Sequence, residues 1–211
     1  MNSNRLLGFL SLAGLLFLVL MYLWVPAANT SKTLVLAVFI LVCVLGMMAA
    51  GYPHHCLRLL NREREKSEPS GHHPVCSEFE THTFTLQGKR YCAGCSGLFL
   101  GGALAILWCL FYYLYGFSSP ILFWAGVLAV FLALMQLNYL KIDRAPVKFL
   151  SNLVLVTGSV MILVGILEFK ANLSPYFLVL IGLWIYTRTT ISARDHDLIC
   201  RQCSIPACPY R

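Results

Sequence analysis

Charge is scarce in this sequence, and it is missing from the middle of every long apolar run. Only 12% of the residues are Asp, Glu, Lys or Arg, about half the share found in soluble domains, which excludes an ordinary soluble globular protein. No Asp, Glu, Lys, Arg or His stands at the centre of an apolar stretch. Ion and proton pathways mark themselves with such residues, so the pattern argues against a transporter. Acidic residues are the scarcer sign, nine against sixteen Lys and Arg. In so apolar a chain the placement of that positive excess says more than its total, and no nucleic-acid partner is expected from it.

What is there is lipid-compatible chain: 58% apolar residues and a mean hydropathy of +0.72. Runs of about 20 apolar residues are long enough to cross a bilayer. Six can be marked, at 6–25, 33–52, 96–115, 120–140, 150–167 and 175–191. The expected fold is therefore an all-α integral membrane protein, with residues 1–211 forming one polytopic domain. The first run is longer than the roughly 7–15 residues of a signal-peptide core and is read as a retained span. Residues 1–52 are expected to form a helical hairpin with a short connection at Pro26–Lys32.

Fourteen of the sixteen Lys and Arg residues fall before the first span, in segments 53–91 and 141–149, or near and after the last span, leaving only Lys32 and Lys170 on the opposite face. The positive-inside rule then predicts a multi-pass protein of the cell membrane with both termini cytoplasmic. Seven of nine Cys and all six His lie on that same face. Cytosolic thiols are kept reduced, so this clustering points to metal ligands or reactive thiols rather than disulfides. Cys43 and Cys109 lie within spans, and Cys43 reads as a small packing residue.

Two regions carry the Cys and His: a loop at 53–95 and a tail at 192–211. In the loop, 57–66 reads as a charged surface helix suited to lipid headgroups, and 67–74 as a Pro- and Gly-broken turn. Residues 79–91, with β-branched and aromatic residues around Gln87-Gly88, read as a small hairpin. Ser96 is the expected N-cap of the third span, and Gly97 and Gly101 the expected site of close helix packing. Asn152, Thr157 and Ser159 are of the kind that hydrogen-bond between membrane helices.

Two Cys-x-x-Cys pairs, Cys92/Cys95 and Cys200/Cys203, supply the four thiolates of a tetrahedral zinc site, each pair from one tight turn. Cys76, Cys208, His82 and His196 are further candidate ligands. A structural zinc is the leading reading, in a non-enzymatic protein whose metal site supports assembly or docks a protein partner at the cytoplasmic face. The alternative is a membrane redox protein that uses an iron–sulfur cluster or a dithiol to exchange electrons with quinone or a soluble partner. No residue is assigned a catalytic role.

The stretch Cys76 to Gly101 resembles the membrane family known as domain of unknown function 2085. The matching residues are Cys76, Phe84, Gly88, Cys92, Cys95, Gly97 and Gly101, with Ser77, His82 and Gly94 standing where the family carries His, Arg and Arg. Asp143 is similar to an Asp in the family's later cytoplasmic loop. The resemblance implies the membrane architecture and the importance of the three Cys, and it implies no reaction.

Overall fold

The computed structural model describes residues 3–28, 30–51, 77–87, 89–140 and 142–202. Its helices are α1 (Ser3–Trp24), α2 (Lys32–Gly51), α3 (Ala93–Tyr115), α4 (Pro120–Met135), α5 (Ala145–Phe169) and α6 (Ser174–Gln202). All six are long and apolar enough to span a bilayer. Their ends follow local chemistry. Ser119 accepts from the Ile121 N–H ahead of Pro120, which opens α4. Gly116 closes α3 in the left-handed conformation at φ 65°, a position that suits glycine because it has no Cβ to clash. α4 runs on through a π-helical turn, Gln136–Leu140.

The centre of the bundle is α5. More than half of its apolar window is buried, against a third or less for every other span. α3 and α4 flank it, and glycines set the distances. A Cβ on Gly97 would lie 2.1 Å from the Phe149 carbonyl oxygen of α5, and one on Gly126 of α4 would lie 2.7 Å from the Gly158 oxygen. Neither position tolerates a side chain. Lipid tails are as apolar as Leu, so membrane helices hold together through such close contacts and through hydrogen bonds. Gly97 and Gly101 do pack closely, both against α5.

α1 and α2 are consecutive and joined by the short connection expected, but each packs chiefly on other helices. Among the described residues α1 lies on α6 and α4, while α2 lies on α3. Polar groups decide this. Ser11 and Thr187 share a buried hydrogen bond of 3.0 Å, the Trp184 indole N–H donates to the Ser11 oxygen at 3.3 Å, and the Tyr176 hydroxyl donates to the Gly14 oxygen at 2.9 Å. Each links α1 to α6. The Tyr22 ring stacks on Phe123 of α4, centroids 3.7 Å apart. The hydroxyls of Thr157 and Ser159 instead donate to Leu153 and Leu155 on their own helix. Hydroxyl side chains readily bond back to the i−4 carbonyl in a helix. Cys43 and Cys109 are buried in the bundle core.

Outside the spans, β1 (Thr83–Leu86) pairs antiparallel with β2 (Lys89–Cys92), Thr83 opposite Cys92 and Leu86 opposite Lys89. The hairpin read from the sequence is present but starts later, because Ser77–His82 forms a 3₁₀ turn. Phe79 and His82 are both buried, at 3% and 8% exposure. Their spacing of three residues puts them on one side of a 3₁₀ helix, whereas a strand would send them to opposite faces. The surface helix read at 57–66 lies outside the described residues.

Candidate functional site

The hairpin delivers its second strand directly into α3. β2 ends at Cys92, which occupies the N-cap position of α3 in extended geometry (φ −70°, ψ 120°), and Ala93 begins the helix fully buried. The helix therefore starts three residues before the expected Ser96, because a strand held in register by β1 fixes where the turn begins. Cys92 makes no side-chain cap to the helix. Cys95 stands in the first turn, and both thiols are partly buried. Gly97 locks the next turn onto α5, so the pair sits on a rigid frame.

Beside this pair lies a charged cluster assembled from two distant segments. Thr81 Oγ1 donates to Asp143 Oδ2 at 3.0 Å, and Lys148 Nζ donates to Asp143 Oδ1. The Lys148 ammonium also lies 2.6 Å from His82 Nε2, which is itself 3.5 Å from Asp143 Oδ1. Burial works against the Asp143 charge, but Lys148, the Thr81 hydroxyl and His82 outweigh it and hold the carboxyl below the ordinary aspartate value. The cluster ties the turn before β1 to the segment entering α5. Phe84 adds an edge-on contact with Phe149 of α5, ring centroids 6.3 Å apart.

A second polar contact reaches the first turn of α3 from α6. Arg188 Nε donates to Asn152 Oδ1, and a guanidinium nitrogen of Arg188 lies 3.5 Å from where a Cβ on Gly94 would stand. Gly94, one of the two residues between the paired cysteines, is thus covered by a cation from another helix. The lateral contact of Arg188 with α5 and Gly94 is a property of the packing.

Of the predicted site residues, the structure brings Cys92 and Cys95 together at the start of α3 and places His82 nearby, with its Nε2 2.6 Å from Lys148 Nζ. His196 and Cys200 are on the last turns of α6; their side chains, like Cys76, Cys203 and Cys208 altogether, lie outside what is described. Among the described residues no three His, Cys, Asp or Glu side chains are grouped to hold a metal ion.

No protein-family model, curated protein or solved structure matches this chain.

Thr81, Lys148, Asn152 and Arg188 were not singled out as site residues by sequence. A usable signal existed for one partner: Asp143 is the one acid in segment 141–149, among Lys141, Arg144 and Lys148 and just before Pro146 at a helix start.

Proposed function

We propose that the chain is a non-enzymatic multi-pass membrane protein whose basic face is organised by a thiolate metal site, with zinc as the metal, that supports assembly or docks a protein partner. The supporting observation is that Cys92 and Cys95 stand at the start of a helix whose position is set from both sides, by the register of the hairpin and by the contact of Gly97 with α5. Two ligands held in one rigid turn are how structural zinc sites begin.

The remaining donors come from Cys76 in the loop or from Cys200, Cys203, Cys208 and His196 in the tail. α6 continues unbroken to Gln202, and twelve helical residues between Arg188 and Cys200 span about 18 Å. Cys200 thus stands about 18 Å along α6 from Arg188, whereas Cys76 directly precedes the turn that begins at Ser77 in the sequence. His82, committed through Nε2 to the charged cluster, acts as a support of the site more readily than as a ligand.

Metal analysis of protein purified without oxygen tests this. Zinc near one per chain, lost in Cys92→Ser and Cys95→Ser but retained in Cys43→Ser and Cys109→Ser, is expected. Iron with sulfide would replace the proposal by the redox alternative, and no bound metal would remove both the zinc and the cluster. Truncation after Ser192 then separates the donor sets: retained zinc assigns the site to the loop, and lost zinc assigns it to loop and tail together.

A further inference from the structure

At the opposite end of the bundle a cleft of about 210 Å³ opens between the connection from α1 to α2 and the end of α5, lined by Ala27, Ala28, Thr30, Lys32, Glu168 and Ala171 among others. Lys32 Nζ and the buried Tyr112 hydroxyl both donate to one oxygen of Glu168, Oε2, at 3.0 and 2.9 Å. Among the described residues the second oxygen, Oε1, accepts nothing, and two of the three Lys32 ammonium hydrogens are unspent. Counting the described residues alone, a carboxylate and an ammonium thus present further hydrogen-bonding capacity into one small space. Next to the cleft the connection is tied down, with Lys170 Nζ donating to the Val25 oxygen at 2.5 Å and Asn172 Nδ2 to the Pro26 oxygen at 3.2 Å.

Location narrows the ligand. α1 ends at Trp24, α2 begins at Lys32 and α5 ends at Phe169, so the cleft stands at a membrane boundary, where the exposed rings of Trp24, Tyr113 and Tyr115 form the aromatic belt expected at headgroup level. The volume is below the roughly 300–1,000 Å³ of sites for drug-sized ligands and suits a group of a few heavy atoms. We propose that this cleft binds a small zwitterion that joins a primary ammonium to a phosphate, the chemistry of a phosphoethanolamine headgroup. Glu168 Oε1 takes the ammonium and Lys32 takes the phosphate. A trimethylated ammonium has no N–H to donate, so the site discriminates against choline.

Native mass spectrometry of the full chain provides the test, with dioleoyl phosphatidylethanolamine, dioleoyl phosphatidylcholine and soluble phosphoethanolamine as probes. Ethanolamine lipid should be retained over choline lipid by about tenfold, the worth of one charge-assisted hydrogen bond. Glu168→Gln should reduce the ratio to near one. Ala28→Phe, which fills the cleft from an exposed position and leaves both charges in place, should do the same and stands in if Glu168→Gln does not fold. Displacement of the lipid by soluble phosphoethanolamine would show recognition of the headgroup alone; binding of the soluble probe without lipid preference would make the free zwitterion the ligand. Equal retention of both lipids with no binding of the soluble probe, or a preference that survives both substitutions, overturns the proposal. None of these readouts depends on the thiolate metal.

Discussion

At the loop end of the bundle Asp143 gathers Lys148, His82 and Thr81 from segments more than sixty residues apart, whereas at the far end Glu168 gathers Lys32 and Tyr112. Both acids belong to the ends of α5. Asp143 lies just before its first turn and Glu168 in its last, beside Lys32 and followed by Lys170. The helix dipole favours an anion at the Asp143 end and disfavours one at the Glu168 end, where Lys32 and the neighbouring Lys170 offset it. The difference lies in what each acid is rooted to. Asp143 is in a connection with its side chain 60% exposed, and its partners hold a loop onto the bundle; Glu168 is on the helix itself and is braced by a buried hydroxyl. The loop end is therefore a docking contact that can be released, and the far end is part of the frame.

The largest effect that would break this contrast is loss of the frame shared by both ends. Gly97→Ala places a methyl group where the Phe149 oxygen already stands, so α3 must move away from α5. A destabilisation of about 3 kcal/mol is expected, read by thermal unfolding in detergent, with zinc lost in parallel if the thiolate site depends on that turn. Unchanged stability would mean the α3–α5 contact is not as close as described.

Asp143→Asn should act on the loop alone. Because Asp143 is largely exposed, the cost in global stability stays near or below about 1 kcal/mol, but protease cleavage or thiol labelling around residues 77–95 should rise several-fold, and Asp143→Glu should restore part of the protection. Acid should imitate the substitution. The Asp143 carboxyl sits below its unfolded value, so its contribution is complete above the ordinary aspartate range and is lost as pH falls through the depressed folded value. Loop protection that is flat from neutral pH down to well below the depressed value would dissociate the cluster from docking.

The smallest effect belongs to Glu168→Gln. The Tyr112 hydroxyl keeps an acceptor in the amide oxygen, and only the ion pair with the half-exposed Lys32 is lost, worth roughly 0.5 kcal/mol. Loop protection should not change. An increase in loop cleavage in this variant would show that α5 couples its two ends, and the contrast between a releasable contact and a fixed one would fail.

Much of the architecture was legible because its cause is local. Six apolar runs become six helices, since in lipid a chain must satisfy its own backbone and a helix does so within one segment. The Gln87-Gly88 hairpin, the close approach at Gly97 and Gly101, and the packing role of Cys43 follow equally from residue type and spacing. Boundaries were less legible. The start of α3 moved from Ser96 to Ala93 because β1 sets the register of β2, and Phe79 to His82 coiled because both side chains find cover on one side.

The sequence by itself determined that this chain has six apolar runs long enough to cross a membrane, and roughly where they lie, because hydropathy acts residue by residue. Only the tertiary structure decided which helices touch. Without a hydrophobic drive between spans, the choice falls to a few hydrogen bonds and glycine contacts, and these separate α1 from α2, put α5 at the centre and bring Asp143 to His82. Pairings between residues 62 to 176 positions apart leave no periodic trace in a single chain, so they become visible only once it is folded.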